Sequence, residues 1–415
     1  MTPMHTRDRT SGVDGVRARR VLQATRLLVV DEIAFEGGLV TFRQHLLPAL
    51  ARQCERVVWV VPDHVTSEYA EMLSREPNAS VVGFLWPRRS WQRVLHGLAR
   101  RLPARLTSDA QAARISRVLR QARVRRLAVE GGFTHCLSTA VLEQPWPDTT
   151  LPTAGVVLDL NPLLAERRQR NILSWVERAD KILTISEFTR QVLVGHFPER
   201  GDRICNVPLA APPVHETAVP HEAPIFTFYY PSVANEHKGH ATLFAACVEL
   251  VRAGLAFQLV LTGHGTEVFA GGEPARLPNL EEARRLLEAN PTLRARVNCL
   301  GRQPAGRVES EYANCSGVVL PSTYEGFGLP LSEAISHGLS VVCSDIPPFR
   351  EQVRLYQADD AVAMFSPGDH LALARLMAQM LTRRPPRQSR RDVDRRMARW
   401  TWNDVARRYI ECLHQ

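Results

Sequence analysis

One stretch of the sequence combines two carboxylates with a pair of glycines, and it holds the residue types best suited to chemistry. It runs from Pro321 to Ala334 and reads Pro-Ser-Thr-Tyr-Glu-Gly-Phe-Gly-Leu-Pro-Leu-Ser-Glu-Ala. Gly326 and Gly328 carry no Cβ, so the backbone can approach a ligand closely. The stretch follows an apolar run and opens a predicted helix, whose first N–H groups and dipole suit phosphate or sugar oxygens.

The two acids of this stretch add a second kind of contact. Glu325 precedes the predicted helix, and Glu333 lies inside it, eight positions later. Carboxylates repel phosphate but accept hydrogen bonds from hydroxyl groups. The combination predicts a ligand that bears both hydroxyls and phosphate, such as a nucleotide sugar. The alternative is an ordinary turn flanked by two surface acids.

A lysine marks a second candidate contact for phosphate. The chain has 52 lysines and arginines together, and only Lys181 and Lys238 are lysines. Lys238 lies at the start of a predicted helix, where a compact ammonium group can act on phosphate as a point charge. The alternative is a plain surface lysine. His237 and His240 flank it, but no third ligand is patterned nearby, so no metal site is predicted.

Three further candidates rest on weaker patterns. Gly37 and Gly38 follow the first predicted strand and begin a helix, which suits a close approach of backbone to a phosphate. Gly263 ends a predicted strand in the second half of the chain, and Asp159 ends one in the first half. The alternative for each is an ordinary turn or, for Asp159, a helix cap.

Short apolar runs alternate with helical patterns along the whole chain, which predicts parallel sheets covered by helices. The predicted strands are 26–31, 56–62, 80–85, 133–138, 154–160, 181–185, 225–231, 258–263, 296–301, 317–321, 340–344 and 361–365. Ligands of such sheets bind beyond the carboxyl ends of the strands. The fold class is therefore α/β, with two doubly wound, Rossmann-like domains facing an interdomain cleft.

A stretch with five prolines, Val207–Pro224, divides the two halves and is typical of a linker. The predicted organisation is a polar, disordered tail (1–20), a first domain (21–210), a linker (211–224), a second domain (225–394) and a terminal helix (395–415) that needs a surface to pack on.

The segment from Glu325 to Glu333 resembles the Glu-x7-Glu motif of the retaining glycosyltransferases of family 4, which have the GT-B fold. The resemblance extends through 335–346 to Glu351, and in the first half to 179–189. It implies a catalytic or donor-binding role for residues that match the family's pattern. Those residues are Lys238 on the diphosphate, Glu325 on the sugar hydroxyls, Glu333 on the ribose, Asp159 on the acceptor side, and Gly37, Gly38, Gly263, Gly326, Phe327, Gly328 and Leu329 around the donor.

The sequence departs from the family's pattern at two positions. An arginine usually lies five residues before the lysine, and here that position is Val233. A histidine usually precedes the acid at Asp159, and here it is Leu158. Arg302 or Arg307 could replace the missing arginine, and His135 or His196 the missing histidine.

The resemblance implies transfer of a sugar from a nucleoside-diphosphate sugar to a hydroxyl acceptor, with retention of configuration and with no cofactor or metal. It also implies that the first domain (21–210) binds the acceptor, that the second (225–394) binds the nucleotide sugar, and that the terminal helix packs back on the first domain. The expected acceptor is lipid-linked or an oligosaccharide, in cell-surface polysaccharide or lipopolysaccharide synthesis, with a mannosyl donor as one option. Two alternatives share the architecture: a non-catalytic partner subunit and a nucleotide-sugar 2-epimerase.

Positive charge is concentrated in one segment. The net charge is +9, and the segment Arg88–Arg126 holds twelve arginines and a single acid, Asp109. Apolar residues recur in it at helical spacing, and a helix is predicted over 107–123. The pattern favours an amphipathic helix on an anionic membrane surface, or else a basic helix whose apolar stripe faces its own core. No nucleic-acid motif accompanies the charge, so no nucleic-acid partner is expected.

Several segments bear on the cellular location. No apolar run approaches the roughly 20 residues that span a membrane, and the first 20 residues lack the apolar core of a secretory signal. The eight cysteines form no patterned pairs, which predicts buried, reduced thiols. We therefore expect a cytoplasmic protein at the inner face of the plasma membrane.

Overall fold

The computed structural model describes residues 24–32, 38–84, 109–141, 145–161, 166–214, 224–271 and 278–415. The chain divides into two compact units. The first comprises the chain up to Ile185 together with Thr189–Pro208 and Trp402–Gln415, and the second comprises Ser186–Phe188 and Leu209–Thr401. The predicted tail (1–20) and most of the predicted linker lie outside the described residues.

The first unit is built on a parallel sheet whose five central strands are almost wholly buried, whereas its two edge strands are more exposed. Its strands are β1 (Arg26–Val30), β2 (Arg56–Val61), β3 (Ala79–Gly83), β4 (His135–Ser138), β5 (Thr153–Val157), β6 (Lys181–Thr184) and β7 (Ile204–Asn206). They lie in the order β3-β2-β1-β4-β5-β6-β7. The central strands are apolar on both faces because helices cover both faces of the sheet.

Within the described residues, five helices of the first unit precede the main part of the second unit in the sequence. They are α1 (Gly38–Ala51), α2 (Thr66–Met72), α3 (Asp109–Glu130), α4 (Glu166–Arg178) and α5 (Glu187–His196), the last of which begins with two residues that belong to the second unit. The predicted helix over 107–123 extends to Glu130, because Val124 and Ala128 continue its buried face against the sheet.

The second unit has a sheet of the same kind. Its described strands are β8 (Thr227–Pro231), β9 (Gln258–Thr262), β10 (Val297–Cys299), β11 (Gly317–Leu320), β12 (Val341–Ser344) and β13 (Val362–Phe365), in the parallel order β10-β9-β8-β11-β12-β13. Its helices are α6 (His240–Arg252), α7 (Pro278–Glu288), α8 (Pro291–Arg294), α9 (Ala305–Asn314), α10 (Leu329–Ser336), α11 (Pro347–Tyr356), α12 (His370–Arg383) and α13 (Arg390–Met397).

The prediction of one terminal helix over 395–415 is wrong in extent. Helix α13 ends at Met397, and a separate helix, α14 (Trp402–Leu413), follows after a short break. Asp404 lies in the first turn of α14, where its charge stabilises a helix start. Helix α14 belongs to the first unit, where the ring of Trp402 lies 6.2 Å from Phe42 and 5.5 Å from His45.

In each sheet, the order in which the chain adds strands reverses direction at one point. From β1 the chain proceeds to β2 on one side and later returns to β4 on the other; β8, β9 and β11 repeat this pattern in the second unit. Loops that leave neighbouring strands in opposite directions open a crevice, and ligands of doubly wound sheets bind there. The crevice between β8 and β11 is where the main candidate residues lie.

Candidate active site

Two predicted residues meet at the reversal point of the second sheet. Lys238 ends a short 3-10 helix after β8, and Glu325 lies in the loop after β11. The ammonium Nζ of Lys238 donates a hydrogen bond to Oε1 of Glu325 at 2.7 Å. Their side chains are 16% and 13% exposed, so the pair is shielded from water but can be reached by a ligand.

The two loops that carry this pair are fastened to each other by the backbone. The N–H of Thr323 donates to the carbonyl of His237 at 2.8 Å. The hydroxyl of Tyr230 donates to the carbonyl of Lys238 at 2.5 Å. Gly239 has φ +69°, and a Cβ there would lie 2.1 Å from the carbonyl oxygen of Pro321. The close approach of the loops therefore requires glycine at this position.

The Gly-Phe-Gly segment begins helix α10. Gly326 and Phe327 are buried, and Gly328 caps the helix in the left-handed conformation, φ +85°. The amide Nε2 of the buried Gln352 donates to the carbonyls of Phe327 at 2.5 Å and Gly328 at 3.2 Å. Through these bonds Gln352, which lies on α11, holds the Gly-Phe-Gly loop in place. Leu329 follows the loop as the first residue of α10. The first N–H groups of an α-helix have no partner within the helix, which suits an oxygen-rich ligand.

Glu333 lies one turn into α10, on the same short segment. Its Oε2 accepts a hydrogen bond from the hydroxyl of Tyr312 at 2.7 Å. Burial raises the pKa of Glu333, while the bond from Tyr312 opposes that rise. The two acids of the segment therefore differ in setting, since Glu325 pairs with a cation and Glu333 with a neutral hydroxyl.

Gly263 has a structural reason to be glycine. Its φ is +136°, and a Cβ there would lie 2.1 Å from the carbonyl oxygen of Ser232. Its N–H donates to the carbonyl of Gly301 at 2.8 Å. The loops after β8, β9 and β10 are thus packed through this residue. Its contact with a donor remains a prediction.

The remaining predicted residues belong to the first unit or lie outside the described residues. Gly38 is the exposed first residue of α1, and Gly37 lies outside the described residues. Asp159 follows β5, and its Oδ1 accepts from the N–H of Asn161 at 3.4 Å. That contact is typical of a local turn, so the acceptor-side role of Asp159 stays a prediction.

The suggested substitutes for missing family residues have other contacts. The guanidinium of Arg307 lies 2.6 Å from Glu311 on the same helix, and the backbone N–H of Arg302 donates to Glu267 at 3.2 Å. The ring of His135 lies 4.4 Å from that of His414 in the first unit. His196 ends α5. None of these contacts brings either arginine to Lys238, or either histidine to Asp159.

The histidines beside Lys238 are held neutral. Burial, with the charge of Lys238 second, lowers the pKa of His237 to about 4 and that of His240 to about 3. Neutral imidazoles add no positive charge to the one ammonium group of the site. Among the described residues, no group of three or more His, Cys, Asp and Glu side chains could hold a metal ion.

Two residues of the site carried no signal in the sequence. Tyr312 lies in an ordinary amphipathic helix, and Gln352 is one polar residue among several in α11. Only their burial and their contacts single them out. Gln352 shares the buried face of α11 with Phe349 and Val353, but its burial becomes visible only in the structure.

Part of the arginine-rich segment can be placed. Residues 88–108 lie outside the described residues, and side chains of α3 are described from Arg117 onward. Val118 and Val129 on α3 are 62% and 72% exposed, with Ala122 and Arg125 between them on the same face. These four residues line a groove of about 610 Å³.

The positive charge of this part of α3 is largely compensated. Three of its arginines form ion pairs, at 2.9 to 3.4 Å, and they are Arg120 with Glu32, Arg125 with Asp148 and Arg126 with Glu130. None of the described helices has the length and apolar character needed to cross a bilayer.

Comparison with known proteins finds a family match over the second half of the chain. Residues 217–398 match the family described as Glycosyl transferases group 1. O-antigen chain mannosyltransferase B of Escherichia coli is 28% identical over 224 residues, which is 51% of this chain and 54% of that protein. Serotype-specific mannosyltransferase WbdA of Escherichia coli is 26% identical over 205 residues, which is 48% of this chain and 21% of that protein. The matched region thus spans about half the length of the first relative and about a fifth of the second.

Solved structures extend the comparison to almost the whole chain. Anabaena Alr3699/HepE in complex with UDP and glucose aligns with a TM-score of 0.62 at 12% identity, covering 94% of this chain and 99% of that one. Similarity at this level of identity shows the fold alone. The chain therefore has the GT-B fold, and its residues 217–398 match the model of the glycosyl transferases group 1 family.

Proposed function

We propose that the protein is a retaining glycosyltransferase that moves a sugar from a nucleoside-diphosphate sugar to a hydroxyl of a saccharide acceptor. The observation that carries this proposal is the pair of Lys238 and Glu325 at the reversal point of the second sheet, beside the glycine-lined start of α10. The names of the two curated relatives support a mannosyl donor and a role in O-antigen or similar polysaccharide synthesis.

The chemistry follows from what each group can do. The bond between the anomeric carbon and the diphosphate oxygen breaks, the acceptor oxygen bonds to the same face of that carbon, and the acceptor proton passes to the departing phosphate. Lys238 and the N–H groups at the start of α10 stabilise the charge that develops on the diphosphate. Glu325 accepts hydrogen bonds from the sugar hydroxyls and so orients the reacting carbon.

The two lysines of the chain give a matched test of this proposal. Lys238→Ala should abolish transfer from GDP-mannose, UDP-glucose or whichever nucleotide sugar the wild type uses. Lys181→Ala, on β6 of the first unit, should leave transfer unchanged. We also expect transfer to persist in the presence of a metal chelator, because the ammonium group of Lys238 supplies the positive charge that a metal ion would otherwise provide at the diphosphate. Equal activity of the Lys238 variant and the wild type would refute the proposal.

A second candidate is a non-catalytic partner subunit with the same fold. Val233 favours it, because this residue stands where the family usually has a second phosphate-binding cation and is 41% exposed. The discriminating measurement is slow hydrolysis of the nucleotide sugar without acceptor. A transferase releases nucleoside diphosphate at a low rate that Lys238→Ala removes, whereas a partner subunit releases none.

We further propose that the acceptor is lipid-linked and that the first unit contacts the inner face of the plasma membrane through anionic lipid. The exposed face of α3 supports this, since Val118 and Val129 would enter the headgroup layer. Arg125 would exchange its exposed ion pair with Asp148, which is worth little in water, for a lipid phosphate. Flotation with vesicles containing about 30% phosphatidylglycerol tests the proposal, as one typical anionic composition. A Val118→Ser, Val129→Ser double variant should float less. Binding that is equal for the variant and the wild type would exclude this face.

A further inference from the structure

The ionisation and the orientation of the Glu333 carboxylate depend on one neighbouring residue, Tyr312. The hydroxyl of Tyr312 donates a hydrogen bond to Oε2 of Glu333 at 2.7 Å, while the carbonyl of Pro330 lies farther away at 3.3 Å. A phenol has a single O–H donor, so it bonds mainly to the nearer and charged acceptor. This bond occupies one lone pair of Oε2 and leaves Oε1 to accept from a ligand.

The ring of Tyr312 is held on two faces. The ring of His337 stacks on it at 5.0 Å with an angle of 11° between the planes, and the ring of Tyr229 meets it edge-on at 5.0 Å. Tyr312 itself is 2% exposed. A ring packed in this way has one position for its hydroxyl, and so it fixes the direction of the bond to Glu333.

The backbone around Tyr312 is held as well. The half-buried guanidinium of Arg387 donates to the carbonyl of Tyr312 at 2.7 Å and to that of His337 at 3.1 Å. The same group donates to the carbonyls of Ala313 and Cys315, at the end of α9. The ends of α9 and α10, which carry Tyr312 and Glu333, are therefore tied to one side chain.

Burial and the hydrogen bond act on Glu333 in opposite directions. Burial raises the pKa of Glu333 and favours the protonated form, which offers one acceptor fewer. The hydroxyl of Tyr312 stabilises the ionised form. An ionised carboxylate with a fixed orientation can accept from two adjacent hydroxyls, whereas a protonated or rotated carboxyl cannot.

We propose that Tyr312 is a positioning residue, which holds the carboxylate of Glu333 ionised and oriented for the ribose hydroxyls that the family resemblance assigns to Glu333. This inference rests on the proposed function, because it assumes that a nucleotide binds at the start of α10. Tyr312 does not touch the nucleotide. It acts through the ionisation and the orientation of Glu333.

The test measures nucleotide binding rather than transfer. Dissociation constants of UDP, GDP and their 2′,3′-dideoxy counterparts are determined by calorimetry for the wild type and for Tyr312→Phe. The wild type should prefer the ribonucleotide. Tyr312→Phe should bind it about tenfold more weakly, as expected for the loss of one charged hydrogen bond, with almost no change for the dideoxy form. Its affinity should also fall at a higher pH than that of the wild type as the buffer is acidified, since loss of the bond raises the pKa of Glu333.

A matched control separates positioning from folding. Tyr356→Phe removes another buried hydroxyl of the second unit, one that accepts from the N–H of Ala211 at 2.9 Å. It should leave the preference for ribonucleotide intact. If Tyr312→Phe weakens ribonucleotide and dideoxy nucleotide equally, or neither, the inference is wrong. If the wild type binds no nucleoside diphosphate at all, the proposed function itself fails.

Discussion

Glu325 has two effects of opposite sign on a bound nucleotide sugar. It accepts from sugar hydroxyls, but its charge also neutralises Lys238 at 2.7 Å and repels the diphosphate. Glu325→Gln keeps the size and removes the charge. We expect this variant to bind nucleoside diphosphate several-fold more tightly, because Lys238 is no longer compensated, while its transfer rate falls about a hundredfold. Calorimetry measures the dissociation constant of the nucleoside diphosphate, and a product assay measures the transfer rate.

The control for Glu325→Gln is Asp360→Asn, which breaks another ion pair of the second unit, with Arg396 at 2.6 Å. It should change neither value. If Glu325→Gln binds nucleoside diphosphate more weakly than the wild type, the prediction is wrong. The ion pair would then aid binding by holding Lys238 in position, instead of weakening binding by neutralising its charge.

His240 makes the protein sensitive to mild acid. Both of its ring nitrogens are buried without a hydrogen-bond partner among the described residues, and burial lowers its pKa to about 3. Below about pH 6.5 the unfolded chain takes up a proton at this histidine and the folded chain does not. Stability therefore falls as the pH falls from about 6.5 toward 3, by about 1.4 kcal/mol per unit for one such group.

Acidification from pH 7.5 to 5.5 should lower the free energy of unfolding of the wild type. We expect this decrease to be about 1.4 kcal/mol smaller in His240→Leu. Urea unfolding of both proteins at the two pH values gives the difference. Parallel losses in the two proteins would show that His240 does not titrate in this range on unfolding.

At the residue scale, the sequence was informative where residue type alone implies chemistry. A rare lysine and an acid beside two glycines predicted Lys238 and Glu325, and the structure joins them. Tyr312 and Gln352 act through burial and geometry, which no local pattern encodes. Gly263 shows the converse, because its conformation and its close neighbour Ser232 account for glycine without any ligand.

At the element scale, the start of α10 depends on Gly328. Its φ is +85°, and a Cβ there would lie 2.4 Å from Cε1 of Phe349. Gly328→Ala should lower the free energy of unfolding by about 2 kcal/mol or more, since strain in φ adds to the steric clash. Gly306→Ala in α9 is the matched change, because a Cβ there meets nothing within 4 Å. It should raise stability by up to about 1 kcal/mol. Thermal unfolding of both variants checks the contrast, and equal effects would contradict it.

Hydrophobic pattern predicted the elements that bury their residues, and it failed where burial is slight. The six strands that the structure describes in the second unit were all predicted within two residues at each end, because each is a short apolar run. Strand β7 was missed, since it has three residues and only Ile204 is buried. The break between α13 and α14 was missed as well. Helical spacing continues across it, and only the change of packing partner from one unit to the other separates the two helices.

At the scale of the whole molecule, the chain completes its first unit last. It leaves that unit after Pro208, forms the second unit, and returns at Trp402. The pairing of distant segments follows from burial: Tyr409 and Ile410 of α14 are fully buried, as is Leu46 of α1. A contact between segments so far apart in sequence costs more chain entropy than a local one. The final helix must therefore gain its stability from packing.

Two neighbouring tryptophans test this arrangement, because they belong to different units. Trp402 is buried on α1 of the first unit, whereas Trp400, two residues earlier, packs against the core of the second. Trp402→Ala should destabilise the first unit by about 3–5 kcal/mol, as expected for a buried aromatic. Hydrogen exchange should then increase in α1 and α14 but not in β8 to β13. Trp400→Ala should increase exchange in the second unit and leave α1 protected. Increased exchange in both units for either variant would mean that they unfold as one cooperative body.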